Sequence, residues 1–257
     1  MHLRMLLVND DGIAAPGLRA IYEAMAQRHE VLVVAPESER SAFSHATTLG
    51  RPLSVSPAPE FGPNAYKCEG APADCTRIGL CLAMQDGNGV ECVVSGMNNG
   101  ENAALDCHYS GTVSAAMEAA FHGVPSLAVS VADRNPIDWP GAAAYAVRVA
   151  EAVATGKLPR TMLSLNLPNL PAEAYGSLVY APMTWVQRQL TLEMVEGVPG
   201  NGLHNMKDPR QESGEGEGGD LDMLRKGHPV LTPLGWDFTA HDCHEDTERL
   251  IRHINDF

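Results

Sequence analysis

Asn9-Asp10-Asp11-Gly12 follows directly on the apolar run Met5 to Val8, so two adjacent carboxylates stand at the carboxyl end of the first expected strand. In open α/β sheets that edge is where ligands bind. Neighbouring side chains on an extended chain point to opposite faces, and both acids reach one cation only where the chain turns sharply, as Gly12 permits. The pair reads as a hard-metal site. The same residues would also serve as an ordinary turn between the strand and a helix opened by Pro16.

Two further loops follow expected strands and hold polar side chains. Glu39-Arg40-Ser41 is one, and Ser95-Gly96-Met97-Asn98-Asn99-Gly100 is the other. A ligand set of Asp10, Asp11, the Ser41 hydroxyl and the Asn98 amide oxygen is all oxygen with two negative charges. That set suits one Mg²⁺ or Mn²⁺, with waters completing the octahedron. Taken by themselves, Ser41 and Asn98 read first as turn or cap residues.

Tyr109-Ser110-Gly111-Thr112-Val113 opens a helix whose first amides, flanked by the Ser110 and Thr112 hydroxyls, form an anion site suited to phosphate. Ser110 by itself is also a plain N-cap. An anion site and a metal site at one sheet edge together point to phosphate ester chemistry. His45 and His108 read as pocket or surface residues, since the ligand set is all oxygen. The run His241-Asp242-Cys243-His244 lacks a second pair at zinc-finger spacing, and the acidic stretch Glu212 to Asp222 lacks the spacing of a calcium loop.

The elements that must position these loops alternate along the chain. A strand at Met5 to Val8, a helix from Pro16 to Arg28 and a strand from Glu30 to Ala35 make one βαβ unit. Extended segments follow near Thr47 to Val55 and Ala65 to Cys68, then a helix from Ala73 to Met84 and a strand from Cys92 to Ser95. A helix carrying Val113, Ala116, Met117, Ala120 and Phe121, a strand from Ser126 to Val131 and a helix from Trp139 to Thr155 continue the pattern. Such alternation predicts a doubly wound, mostly parallel sheet.

Beyond Thr161 the regularity fades. Met162 to Leu167 and Leu178 to Ala181 read as strands, Gln189 to Met194 as one arm of a projecting hairpin, and Asn201 to Asp222 as a mobile loop. A short helix (Leu221 to Lys226), a strand (Pro229 to Thr232) and a terminal helix (Glu245 to Ile254) close the chain. One α/β domain is expected over residues 1–257, with its core at about 1–182 and a hairpin and C-terminal arm at about 183–257. Trp185, Leu190, Leu192, Met194, Val230, Leu231, Trp236, Phe238, Leu250 and Ile251 make that arm too apolar to stand alone.

Composition narrows the function classes. A formal charge of −14 disfavours non-specific binding to nucleic acid or to an anionic membrane. No apolar run approaches the length of a membrane span or of a secretory signal, so a cytoplasmic enzyme is expected. The six cysteines include no Cys-x-x-Cys pair and read as reduced thiols.

Taken together, these stretches resemble the SurE family, the stationary-phase survival proteins. The resemblance lies in Leu6 to Gly17 (LLVNDDGIAAPG), Val33 to Thr48 (VVAPESERSAFSHATT), Glu69 to Cys75 (EGAPADC), Val93 to Asn102 (VVSGMNNGEN), Tyr109 to Glu118 (YSGTVSAAME) and Gly227 to Leu234 (GHPVLTPL), in family order over nearly the whole chain. It implies a metal-dependent 5′/3′-nucleotidase acting on nucleoside monophosphates, with polyphosphate or other phosphomonoesters as alternative substrates. A nucleotide-binding protein without turnover is the remaining alternative, disfavoured by the intact acid pair.

By the same resemblance, Asp10, Asp11, Ser41 and Asn98 hold one divalent metal per subunit, Asp10 and Asp11 carry the catalysis, and Ser110, Gly111 and Thr112 contact phosphate. Asn9 and Asn102 border the pocket. A Rossmann-like α/β core and a homodimer that exchanges C-terminal arms, sometimes paired into a homotetramer, are implied as well. Val8, Ala71, Ala104 and Gly218-Gly219-Asp220 depart from the family pattern. Ala104 stands where glycine is usual and would carry a penalty of about 1 kcal/mol if φ is positive there.

Overall fold

β1 (Arg4–Val8) is buried along its whole length, with Met5 and Leu7 on one face of the sheet and Leu6 and Val8 on the other. An alternating strand that is apolar on both faces must be covered on both. α1 (Pro16–Ala26) covers one side by turning Leu18, Ile21 and Met25 inward, and Pro16 starts it where a missing N–H does no harm. β2 (Glu30–Pro36) then pairs parallel with β1 from Arg4↔Glu30 to Leu7↔Val33. Each large aliphatic side chain so buried contributes about 1.5–3 kcal/mol. The computed structural model describes residues 1–85, 87–132, 136–156, 161–186, 190–198, 201–207, 217–239 and 243–255.

β3 (Val55–Pro57) and β4 (Ala65–Cys68) extend the sheet beyond β2, and α2 (Pro72–Gln85) leads back to β5 (Cys92–Asn99) on the other side of β1. α3 (Gly111–Phe121), β6 (Ser126–Val131), α4 (Trp139–Thr155) and β7 (Thr161–Leu167) carry the parallel pattern outward. β8 (Val179–Tyr180) is a short edge strand. With β11 (Val230–Gly235), the order is β3-β4-β2-β1-β5-β6-β7-β11-β8. Strand order reverses between β1 and β5. α1 and α4 share the core on one face, while α2 and α3 supply Cys75, Ala83, Ala115 and Ala119 to the core on the other.

Three features of the fold differ from the expectations. β5 does not stop at Ser95 but runs to Asn99, and its pairing with β6 shifts between Ser95 and Asn98. Such irregularities re-aim side chains, and here Asn98 belongs to the sheet edge instead of a free loop. β9 (Thr191–Val198) and β10 (Asn201–Lys207) form a separate antiparallel hairpin, so the second arm lies inside the span expected as a loop. The rest of that span includes residues 208–216, which lie outside the described residues.

The third concerns the boundary expected near residue 182. β11 falls in the supposed arm, yet it pairs antiparallel with β7 from Val230↔Asn166 to Gly235↔Thr161 and is part of the central sheet. α5 (Asp220–Arg225) packs beside it, and α6 (His244–Asn255) ends the described chain. Asp220, almost fully buried, accepts from the Thr184 and Ala104 backbone amides at 2.8 Å each. It ties the start of α5 to the loop after β8 and to the turn at Ala104, where φ is +53°. The positive φ raised by the departure from glycine is therefore present.

Candidate active site

Asp10 and Asp11 lie beyond the end of β1, at the point where strand order reverses. Gly12, at φ +92°, bends the chain there, and a Cβ would press on the Ser38 carbonyl carbon at 3.0 Å. Asn9 is fully buried and donates from Nδ2 to the Gly12 carbonyl at 2.9 Å. It pins the turn from behind instead of bordering the cavity. The cavity itself, of about 510 Å³, is lined by Asp10, Asp11, Glu39, Ser41, Asn98, Asn102 and Ser110 among others.

α3 begins against Asp10. Ser110 caps the helix by accepting from the Val113 amide at 3.0 Å. Thr112 Oγ1 donates to Asp10 Oδ1, and Gly111 leaves room for that carboxylate. The first anion at the positive end of α3 is thus Asp10 itself. Of the three residues expected to contact phosphate, Ser110 alone lines the cavity. Gly111 and Thr112 stand behind Asp10, because the helix packs directly on the acid.

The remaining oxygen donors converge from two other segments. Asn98 Nδ2 donates to the Gly100 carbonyl at 2.7 Å, which fixes the amide and leaves Oδ1 as its available acceptor. The Ser41 hydroxyl donates to Glu39 Oε1 at 2.7 Å, leaving its lone pairs uncommitted. The Asn99 amide donates to Asp11 Oδ2 at 3.3 Å and joins the two sides of the reversal. Asn102 is braced by Asn166, which accepts from its amide at 2.9 Å, and by Ser130, which accepts from its Nδ2 at 2.9 Å.

Burial pushes the Asp10 carboxyl above its ordinary range, and burial together with the Asp10 charge pushes Asp11 up to about 6. The Glu39 charge adds to both, and among the described residues none of the groups acting on them is cationic. Two adjacent acids, one buried and one half-buried, with no countercharge acting on them make a site that a bound cation relieves. Among the described residues no three His, Cys, Asp or Glu side chains converge as a metal group. A cation here would therefore draw on the acid pair and on the neutral oxygens of Ser41 and Asn98, a donor set that fits a hard divalent ion.

His45 and His108 face away, onto a separate cavity of about 640 Å³ beside α3 and β11. The run from His241 lies partly outside the described residues, at 241–242. Glu39 is the acid that the sequence reading left without a role. Its only signal was its place two residues before Ser41.

The loop carrying Ser41 is tied down along its length. The Arg40 amide donates to the Asp10 carbonyl at 2.7 Å, the Ser44 hydroxyl to the His108 carbonyl at 2.7 Å, and the Thr48 hydroxyl to Asp74 at 2.8 Å. His45 Nε2 meets Glu118 Oε2 at 2.8 Å, while His122 lies 3.2 Å from the other oxygen. The His45 hydrogen bond foremost holds the Glu118 carboxyl below the usual range, against the opposing effect of burial.

A depressed carboxylate stabilises the fold above its ordinary pKa of about 4.3, and that contribution is lost as pH falls through the lower folded value. Glu118→Gln is therefore expected to reduce stability by about 1–3 kcal/mol at pH 7, or roughly 2–4 °C of melting temperature per kcal/mol. The difference from the wild type should shrink below about pH 4 as the wild-type carboxyl takes up its proton. Thermal melts of both proteins across pH check this, and a gap that stays constant into acid would sink it.

Comparison with known proteins agrees with the geometry. A family model described as survival protein SurE matches residues 5–189. A curated protein of Geobacter metallireducens named 5′-nucleotidase SurE is 38% identical over 252 residues, covering 93% of this chain and 94% of its own length. Another of that name, from Solidesulfovibrio magneticus, is 40% identical over 238 residues, covering 90% and 91%. The crystal structure of the SurE protein from Aquifex aeolicus matches with a TM-score of 0.83 at 30% identity, covering 96% of this chain and 99% of that one.

Proposed function

The chain belongs to the SurE family, and from that premise we propose that it is a 5′-nucleotidase, a hydrolase releasing phosphate from nucleoside monophosphates with the help of one divalent cation per subunit. The observation that carries the reading is the adjacent pair of buried Asp10 and half-buried Asp11, set among neutral oxygens at the strand-order reversal with no cationic group acting on either among the described residues. Asp10, Asp11, Ser41 and Asn98 would hold the ion. Mg²⁺ or Mn²⁺ in that position supplies neutralisation of phosphate charge and Lewis acidity at a phosphate oxygen.

The chain's own groups do the rest. Thr112 and the start of α3 hold Asp10 in one orientation, so the ligand is positioned before anything binds. Glu39 takes the hydrogen of Ser41 and turns the hydroxyl into an acceptor toward the cavity. Ser110, where the chain enters α3, lines the cavity on the side where phosphate oxygens would sit. Asn102, locked by Asn166 and Ser130, gives the cavity a rigid polar surface.

Phosphate release from a panel of nucleoside monophosphates, polyphosphate and p-nitrophenyl phosphate, run with Mg²⁺, Mn²⁺ or EDTA, tests the reading. Fastest release from the nucleotides with metal, and none in EDTA, is expected. Release that ignores EDTA, or that spares every nucleotide, would count against it.

No described helix is long and apolar enough to cross a membrane. Free thiols at all six cysteines suit the reducing cytoplasm, where we place the enzyme. The hairpin of β9 and β10 shows Leu192, Met194, Val195, Val198, Leu203 and Met206 to solvent, and an isolated two-stranded ribbon is marginal by itself. Cover from a second copy would explain both features, as a homodimer or homotetramer. Light scattering at micromolar concentration should give a mass of at least two chains, and a monomeric mass would overturn the assembly while leaving the chemistry in place.

A further inference from the structure

The cavity at the acid pair is larger than phosphate and a cation require. About 510 Å³ falls in the range of roughly 300–1,000 Å³ that encloses whole small-molecule ligands. One end lies at Asp10 and Ser110, against α3. Another wall is made by Ala15, Pro16 and Gly17 at the start of α1, and by Trp139 at the first position of α4. Since α1 and α4 cover the face of the sheet opposite α3, the two walls stand on either side of the sheet edge.

Trp139 is held firmly there. A Cβ on Gly17 would come within 2.9 Å of Trp139 Cζ3, so the indole lies directly on the α1 backbone. Asp138 caps α4 by accepting from the Gly141 amide at 3.1 Å, which fixes the turn that presents the ring. The half-buried indole packs against the core and also borders the cavity. The cavity's other aromatic, Tyr109, precedes Ser110 in the chain and belongs to the phosphate end.

A nucleoside monophosphate carries its charge at one end and a flat, weakly polar ring at the other, which is the polarity of this cavity. Resting on the nucleotidase reading, we propose that Trp139 is the platform on which the nucleobase stacks while the phosphate lies between Asp10 and Ser110. Every base has a π-face, so stacking selects nucleotides over other phosphate esters without strong choice among bases. The larger purines gain more contact area than pyrimidines.

The test compares adenosine 5′-monophosphate with ribose 5-phosphate, which keeps the phosphate and sugar and lacks the base. In the wild type, KM should be lower for the nucleotide. Trp139→Ala should raise KM for the nucleotide about tenfold with kcat little changed, and shift KM for ribose 5-phosphate less than about twofold. Trp139→Phe, which keeps a stacking face, should recover most of the loss. Adenosine should quench the intrinsic fluorescence of the wild type, and Trp139→Phe should abolish that quenching.

A parallel rise in both KM values would mean that the ring is only structural, and unchanged values for both would place the base elsewhere. Either result overturns the platform. A wild type that hydrolyses ribose 5-phosphate as well as the nucleotide would remove the base subsite and leave the phosphomonoesterase reading standing. A wild type active on neither compound would remove that reading, and the platform with it.

Discussion

Asp11→Asn should lower phosphate release by about 10²–10³-fold while leaving a folded protein that melts no lower than the wild type in the absence of metal. The amide halves the charge offered by the acid pair, and a neutral oxygen is a poorer partner for a hard divalent ion. Stability moves the other way, since burial and the neighbouring Asp10 already push Asp11 up to about 6 and an ionised pair at neutral pH is a repulsion. Removing one charge relieves it. Added Mn²⁺ should raise the wild-type melting temperature, by the equivalent of about 2.7 kcal/mol at a hundredfold excess over Kd, and leave the variant nearly unmoved. Equal activity and an equal Mn²⁺ response in the two proteins would remove Asp11 from the site.

Gly111→Ala is expected to be nearly as damaging by a steric route. A Cβ at that position would lie 2.8 Å from Asp10 Cβ, 2.9 Å from Asp10 Oδ2 and 3.0 Å from Pro72 Cγ. Two of those three atoms belong to the acid that Thr112 holds, so the added methyl displaces it. Overpacking of this kind costs about 1–3 kcal/mol, and a misplaced ligand about 10²-fold in turnover. Thermal melts and kcat on one preparation check both parts. A variant with normal kcat would show that Asp10 tolerates displacement, and the geometry drawn here would be wrong.

Much of this site was legible in local sequence. A carboxylate pair at the end of an apolar strand, a turn glycine and a capped helix start are short-range signals, and Asp10, Asp11, Gly12 and Ser110 take the places those signals imply. The strand and helix alternation before residue 160 gave the doubly wound sheet for the same reason. Each βαβ unit closes within a few tens of residues.

What the sequence left hidden depends on contacts between distant segments. Thr112 reads as a phosphate donor from its helix start alone, and only the packing of α3 over β5 and β6 brings its hydroxyl to Asp10, 102 residues away. β11 reads as part of an arm because nothing near it announces pairing with β7. Asn98 looked like a loop residue, since the shift in register between β5 and β6 arises from a partner strand some thirty residues on. β10 was hidden by its Gly and Asn content, which weakens strand propensity, although its partner β9 was half recognised. Glu39 needed the folded loop to bring it to Ser41 and the acid pair.

Asp10 and Asp11, with Ser41 and Asn98, are proposed to hold a divalent cation at the strand-order reversal. Anomalous diffraction from a crystal of the full chain grown with Mn²⁺ measures that directly. One strong anomalous peak per chain is expected, in direct contact with carboxylate oxygens of both Asp10 and Asp11 and with the Asn98 amide oxygen. A peak at the histidines of the neighbouring cavity, or none between the two acids at saturating Mn²⁺, would contradict it.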